Sequence, residues 1–417
     1  MKITGITTTA LHIPEIATAQ DATMFRPASG QTIVFVEITT DTGLVGLGMS
    51  EALGVRQVIA TTLTPLLLGR DPLEHERLWE EMFWAVRSYG RKGLALCALS
   101  ALDIALWDLK GKFFDAPLYK LLGPYTDTVP VYGSGGWTHL SEADLIREQA
   151  AFVEAGTPRV KMKVGKDFGR AGDEDVRRVA AVRKALGDDV TIYLDANGGY
   201  HAKQASVLAR RFEQYNIAWF EEPVHADDIA GLAEVRRDSP IPVATGEHEY
   251  TKFGFKELLT QGAVDIVQPD VARVGGITEW LKIAHLAHAF NLPVAPHAVS
   301  LVHSPRLLHA EPGRRGDPRR AVQQADRLWF TEIPEPVGGM WSPSPIAPAR
   351  PRARPARGRI ATTRYRFPQQ APRTRISHNG GAIQLVAPTH LRTRPTGRSA
   401  PFASPATPPV AKLPSAM

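Results

Sequence analysis

The sequence predicts an α/β protein: a parallel β/α barrel preceded by a smaller α+β domain. Three observations carry that prediction. Short apolar runs recur from Val129 at spacings of about 25 to 30 residues, with helical patterns between them. Acidic residues close three consecutive runs, at Asp195, Glu221 and Glu247. The first 125 residues instead read as strands and then helices.

The small domain comes first. Lys2 to Ile13 and Thr32 to Thr40 are rich in Ile, Val and Thr, which suit a pleated surface. Asp41-Thr42-Gly43 is a turn signal, so Ile33 to Ile38 and Leu44 to Gly48 form a hairpin. Gly93 to Lys112 is helical, with Leu94, Ala98, Ala101, Leu102 and Ala105 on one face. The barrel strands are expected at Val129 to Tyr132, Val160 to Val164, Thr191 to Leu194, Ala218 to Phe220, Pro242 to Ala244, Val264 to Val267, and Pro293 to Ala295. Helices are expected over Asp175 to Leu186, closed by Gly187, over Ala202 to Tyr215 and over Ile277 to Phe290. A doubly wound open sheet is the alternative, disfavoured because no Gly-rich phosphate loop follows the first strand.

Composition excludes several classes. Hydrophobic residues are 43% and charged residues 22%, ordinary for a globular enzyme. No run approaches the ~20 apolar residues of a membrane span, and the N-terminus lacks a signal-peptide core. The single cysteine, Cys97, rules out intrachain disulfides and multi-cysteine metal sites. A cytoplasmic protein with no membrane partner is expected. The net charge of +6 is uneven: Trp341 to Met417 holds 12 Arg, 1 Lys and no acidic residue, leaving the rest of the chain at −7. The basic stretch lacks regular aromatic interleaving, which argues against nucleic acid as the partner. The expected organisation is residues 1–125, residues 126–340 and a Pro/Arg-rich, disordered tail over residues 341–417.

Candidate chemistry sits at strand ends, where barrel enzymes carry their sites. Asp195, Glu221 and Glu247 follow one another at intervals of 26 residues. Three carboxylates converging on one mouth repel unless a hard cation lies between them. Oxygen-only ligands favour Mg²⁺ or Mn²⁺. In Lys161-Met162-Lys163 the period of two puts both lysines on one face. Facing the barrel interior, they repel and lose solvation, and both effects favour a neutral, basic amine. Asp270 and His297 close the next two strands, 27 residues apart, and an aspartate beside an imidazole fixes its tautomer. His201, His248, His285, His288, His303 and His309 read as structural hydrogen-bonding residues.

Together these features identify a resemblance to the enolase superfamily, specifically its mandelate racemase subgroup. It rests on Lys161-x-Lys163, Asp195, Glu221-Glu222-Pro223, Gly246-Glu247 and the Asp270/His297 pair, and covers about Met1 to Val302. The resemblance implies an N-terminal α+β capping domain over a modified (β/α), TIM-type barrel. It implies Mg²⁺ held by Asp195, Glu221 and Glu247, with Lys163 as one base and His297 as the other acid/base. Lys161 would neutralise the substrate carboxylate, and Asn197 would lie near the substrate. The implied activity is removal of the proton α to a carboxylate through an enediolate, in a homo-oligomer. Dehydration of a sugar acid to a 2-keto-3-deoxy acid is the first expectation; racemisation, epimerisation or cycloisomerisation is the alternative. Specificity would come from capping loops near Glu15 to Phe25 and Met49 to Val55, with Arg26 and Glu51 as contacts.

The sequence departs from that pattern after His297. Where an eighth strand is expected, Ser304 to Arg320 is Arg/Pro-rich, and Asp317 stands among Gly316, Pro318 and Arg319. Family-like sequence resumes from Ala325 to Ser342, including the strand-like Leu328 to Ile333, and is lost again from about Ile346. Out-of-frame translation of GC-rich DNA yields Arg, Pro, Ala and Ser, so reading-frame shifts are the expected cause; a real basic tail is the alternative. A barrel without its last strand would be catalytically inactive.

Overall fold

The structure is a computed structural model, and it describes residues 1–13, 18–26, 31–123, 129–297 and 340–341. The expectations for 304–320, for Leu328 to Ile333 and for the tail beyond Trp341 lie outside the described residues.

The N-terminal region is built on β1 (Ile3–Ile13), with the short pair β2 (Ala19–Gln20) and β3 (Phe25–Arg26), then β4 (Gln31–Thr40) and β5 (Val45–Ser50). β1, β4 and β5 form an antiparallel sheet in that order. Gly43, at φ +82°, makes the tight turn between β4 and β5 that Asp41-Thr42-Gly43 forecasts. Helical segments follow: α1 (Val55–Val58), a π-helical turn over Ile59–Leu63, α2 (Thr64–Leu67), α3 (His75–Val86), α4 (Leu94–Phe113) and α5 (Leu118–Leu121). α4 lies on the sheet. Gly46 and Gly48 permit this, because a Cβ on either would strike the backbone carbonyl of Ala105 or Ala101. Trp79, Leu99, Leu102, Val36 and Ile38 fill the core between them.

The second region begins with β6 (Val129–Pro130), which pairs antiparallel with β13 (Met340–Trp341). The expected first barrel strand at Val129 to Tyr132 is therefore displaced. The first strand of the parallel sheet is β7 (Gly133–Ser134), because Val129 and Pro130 pair with β13 instead. The remaining elements alternate: α6 (Glu142–Glu154), β8 (Arg159–Lys163), α7 (Gly172–Leu186), β9 (Thr191–Asp195), α8 (Ala202–Phe212), β10 (Ile217–Glu221), α9 (Ile229–Asp238), β11 (Val243–Thr245), α10 (Thr251–Thr260), β12 (Ile266–Val267) and α11 (Gly276–Ala289). Helix starts are chemically marked. The side chains of Ser141, His201 and Asp228 accept the N–H groups of Asp144, Gln204 and Gly231 at the N-caps of α6, α8 and α9.

The six strands run β7 to β12 in strict sequence order, and Val294 continues the series as a parallel bridge to Val267. A doubly wound sheet reverses its order at a switch point. This one does not, so the singly wound, barrel-type order holds. The closing strand lies outside the described residues.

The two regions meet at the N-terminus of α11. Gly275 and Gly276, at φ +117° and +82°, enter the helix under α4. Trp79 donates its indole N–H to the Gly275 carbonyl at 2.6 Å, and Ser100 Oγ accepts the Gly275 N–H at 2.9 Å. Asp103, fully buried on α4, accepts the Thr278 N–H and hydroxyl at 2.9 and 2.6 Å. A carboxylate from another helix thus satisfies an otherwise orphaned N–H in the first turn of α11. Burial pushes the Asp103 carboxyl up to about 7.

Candidate active site

Strand register assembles the site. Lys163 on β8 is level with Asp195 on β9, which is level with Glu221 on β10. These are the last residues of three adjacent parallel strands, so their side chains share one mouth. One layer below, Lys161 is level with Tyr193, and Tyr193 with Trp219. The Tyr193 and Trp219 rings stack at 3.6 Å, and Tyr132 meets both edge-on, making an aromatic floor. Glu247 follows β11 after Gly246, Asp270 follows β12, and His297 follows the Val294 bridge.

The charges answer one another. Lys161 Nζ lies 2.5 Å from Glu221 Oε1 and 3.3 Å from Asp195 Oδ2. Lys163 Nζ also donates to Asp195 Oδ2. His297 Nδ1 is 2.7 Å from Asp270 Oδ2, and its Nε2 is 3.1 Å from Glu247 Oε2. The sequence-predicted residues therefore come together as two groups, lysines with Asp195 and Glu221, and His297 with Asp270 and Glu247. Asn197 stands beside the first group, its N–H donated to Asp195 Oδ1 at 3.0 Å.

Burial disfavours the charged form of the four carboxyls and of His297, and at some of them the neighbours outweigh it. Burial, then repulsion from Asp195, pushes the Glu221 carboxyl up to about 7. Burial acts on Asp195 in the same sense, but Lys163 and Lys161 hold it below the usual range. Burial acts on Glu247 too, yet His297 and Arg273 hold it well below that range. Asp270 is buried and still held low by Arg273 and His297. Burial lowers the His297 imidazole although Glu247 and Asp270 favour its cation. The Asp270 contact fixes the ring: an N–H at Nδ1 toward Asp270 leaves Nε2 to exchange a proton.

Four further residues belong to the site and escape a residue-by-residue reading. His248 Nδ1 lies 2.9 Å from Glu222 Oε1 and 3.5 Å from Glu247 Oε1, although its sequence reads as a structural histidine. Glu222, buried with φ +39°, turns back toward it. Arg273 donates to the Glu247 carbonyl at 2.8 Å and lies 3.4 Å from Asp270 Oδ2. Gln268 Nε2 donates to Glu221 Oε2 at 2.8 Å, beside the Trp219 indole N–H at 3.1 Å. Spacing from Asp270 signals two of them: Gln268 lies two residues before it, on the same face of an extended chain, and Arg273 three after, the reach of one turn.

Among the described residues, one group of three donors lies within 4.8 Å of one another, Glu222, Glu247 and His248, which shares only Glu247 with the expected metal ligands. Asp195 and Glu221 are turned onto lysine ammoniums instead. Their chemistry nevertheless fits a hard divalent ion. Asp195, Glu221 and Glu247 are oxygen donors, buried, and each of the first two is destabilised by its acidic neighbours. Two more buried oxygens, Asn197 Oδ1 and Gln268 Oε1, have no hydrogen-bond partner.

The N-terminal region covers this mouth. Thr138 donates from its N–H and hydroxyl to the Gln20 carbonyl at 2.8 and 2.9 Å, and Thr23 Oγ1 donates to the Asn197 carbonyl at 3.2 Å. The methyl of Ala22 occupies the space a Cβ would need on Gly165 or Gly199. No described helix is long and apolar enough to cross a membrane.

Known proteins are similar to this chain in sequence and fold. The family model for the mandelate racemase/muconate lactonizing enzyme N-terminal domain matches residues 9–123, and the enolase C-terminal domain-like model matches 144–344. An arabinonate dehydratase from Saccharolobus solfataricus is 38% identical over 271 residues, 64% of this chain and 72% of that one. A D-galactarolactone cycloisomerase from Agrobacterium fabrum is 40% identical, over 63% of this chain and 70% of that one. The crystal structure of a racemase from Streptomyces coelicolor A3(2) with bound magnesium superimposes with a TM-score of 0.74 at 33% identity, covering 84% of this chain and 95% of that one.

Proposed function

The chain belongs to the enolase superfamily, in its mandelate racemase subgroup, and from that premise we propose that it dehydrates a sugar acid to a 2-keto-3-deoxy acid. The observation that carries the reading is the placement of two proton-transfer groups, each against a buried carboxylate at its own place on the mouth of the sheet. Lys163 stands against Asp195, and the Asp270–His297 dyad stands against Glu247.

Removing the proton α to a carboxylate places a second negative charge on the resulting enediolate, which is very unfavourable in water. Asp195, Glu221 and Glu247 would hold Mg²⁺ or Mn²⁺, which would supply fixed positive charge where that negative charge develops. Lys161, between Asp195 and Glu221, neutralises the substrate carboxylate. Lys163 takes the α-proton as a neutral amine. His297 passes a proton from Nε2 to the departing β-hydroxyl, which leaves as water while Lys163 retains the α-proton; the enol then takes a proton at the β-carbon and loses its hydroxyl proton to become the 2-keto acid. Asn197 Oδ1, buried without a partner, accepts from a substrate hydroxyl. Epimerisation or cycloisomerisation starts with the same proton removal, and the cycloisomerase relative supports it as the second reading.

A single-cysteine chain acting on small acids fits the cytoplasm, and neither nucleic acid nor membrane is needed as a partner. Homo-oligomerisation is supported by the exposed rings of Trp84 and Phe253, both against Phe83, which together make an apolar patch a second copy would cover. Sedimentation as a monomer would remove that part of the reading.

The test is a library of mono- and diacid sugars assayed for 2-keto acid and for α-proton exchange in D₂O, with Mg²⁺ and with EDTA. Product is expected with Mg²⁺ alone, and Glu221→Gln should abolish it. Absence of both product and exchange from every sugar acid sinks the reading.

A further inference from the structure

α7 has a polar sequence, yet it buries Asp175, Arg178 and Arg183. Asp175 is fully buried. Its Oδ2 accepts the Gly165 N–H at 3.0 Å and the Tyr200 hydroxyl at 2.7 Å, and its Oδ1 accepts the Lys166 N–H at 3.4 Å. Gly165 and Lys166 form the loop that leaves Lys163. Tyr200 ends the loop that leaves Asp195 and carries Asn197.

Arg178 lies one turn along the same helix, three residues from Asp175, and attracts it electrostatically. Its guanidinium donates to the carbonyls of Gly136 at 3.2 Å, Trp137 at 2.9 Å and Leu140 at 2.8 Å. The Gly136 carbonyl also accepts the Lys163 N–H at 3.1 Å. Trp137 places its ring 5.5 Å from Lys163 Nζ. One helical turn therefore grips three successive loops: the one carrying Trp137, the one leaving Lys163 and the one holding Asn197.

We infer that Asp175 and Arg178 are positioning residues: this buried turn of α7 sets the Lys163 amine and the Trp137 ring against the substrate's α-carbon. The inference rests on the proposed role of Lys163. A bidentate or tridentate guanidinium is needed, because an ammonium cannot reach three carbonyls at once. A carboxylate is needed because all three of its partners are donors. Arg183, on the same helix, is the internal control. It donates to the carbonyls of Gly187, Val190, Tyr215 and Asn216, at the opposite end of the sheet.

The experiment uses full-length chain labelled with 5-fluorotryptophan, the Trp137 resonance being assigned with Trp137→Phe. Tyr200→Phe, Asp175→Asn, Arg178→Lys and Arg183→Lys are compared by ¹⁹F NMR, by thermal melting, and by kcat and KM for α-proton exchange. Misplacing a base by an ångström costs about 100-fold in rate. Arg178→Lys and Asp175→Asn should therefore lose about that in kcat with KM little changed, and shift the Trp137 resonance. Tyr200→Phe, which removes one hydrogen bond and is the variant safest for folding, should do so in smaller measure. Arg183→Lys should lower the melting temperature without moving the resonance or the kcat of folded protein. An unmoved resonance in the Arg178 and Asp175 variants overturns the inference, as does an equal kcat loss in Arg183→Lys. A moved resonance in a chain whose wild type exchanges no α-proton supports the loop placement and instead overturns the functional reading.

Discussion

The two ends of the parallel sheet both bury charge, and the charges keep different company. At the C-terminal end, Lys161, Lys163, Asp195, Glu221 and Glu247 are answered largely by one another or by His297 and Arg273. At the N-terminal end, Arg183 is answered by four backbone carbonyls. Fixed dipoles that satisfy a charge hold it in one state. Charges that satisfy charges leave a set whose protons and partners redistribute when a ligand arrives. The first arrangement serves stability and the second serves chemistry, so substitutions at the two ends should fail in different ways.

The largest effect should come from the chemical end. Lys163→Ala should lose about 10²- to 10⁴-fold in α-proton exchange, the usual worth of a positioned general base. His297→Asn should retain some exchange while losing product, because proton removal survives and departure of the hydroxyl lacks its acid. The comparison breaks if both variants exchange as fast as wild type, measured by mass spectrometry in D₂O. It also breaks if they unfold before they lose rate.

An intermediate effect is expected from the other end. Arg183→Met leaves buried carbonyls unpaired, at about 1–3 kcal/mol for each group that finds no water. A loss of about 3 kcal/mol in unfolding free energy should appear in urea titrations, with kcat per folded molecule unchanged. A fall in kcat without a fall in stability would erase the distinction between the ends.

An effect no larger than that one, and visible only as a pH dependence, sharpens the rule at a third place, the α4–α11 seam. Asp103 is answered by neutral donors only, and burial raises its carboxyl to about 7. The folded chain thus keeps a proton that an unfolded chain would release near pH 4. The stability this gives is complete below about pH 4 and is lost as the pH rises through about 7. Its slope between those limits approaches 1.4 kcal/mol per pH unit. Asp103→Asn should remove that component, so the difference in melting temperature between wild type and variant should change from pH 5 to pH 7.5. A difference that stays constant across that range would show that Asp103 does not titrate there.

Much of this was legible in the sequence where the signal is local. Apolar runs at barrel spacing located β8 to β12, and carboxylates at their ends located Asp195, Glu221 and Glu247. The first strand departed from the expectation: Val129 and Pro130 pair with β13, and the parallel sheet starts at Gly133 instead. The partners of the charges were not legible. Nothing local distinguishes His248 from His201, yet one meets Glu222 and Glu247 while the other caps a helix. Asp103 carried a usable signal, a lone carboxylate on an otherwise apolar helix face, which has to be paired by something outside the helix. Asp175 and Arg178 carried the opposite: in a helix rich in charge they look solvated, and only tertiary contact reveals them as buried.

The Ala22 methyl, lodged against Gly165 and Gly199, has a consequence for how such a protein can change its diet. Met24 and Phe25, two and three residues further on, are exposed at 46% and 62% and can be exchanged freely. Ala22 and the two glycines cannot, because a larger side chain at any of the three would prise the covering segment from the loops that follow Lys163 and Asp195. If the covering segment sets selectivity, new substrates would be reached by rewriting its rim while its hinge-pin stays fixed. A library aimed at altered selectivity should randomise positions 24 and 25 and leave 22, 165 and 199 alone.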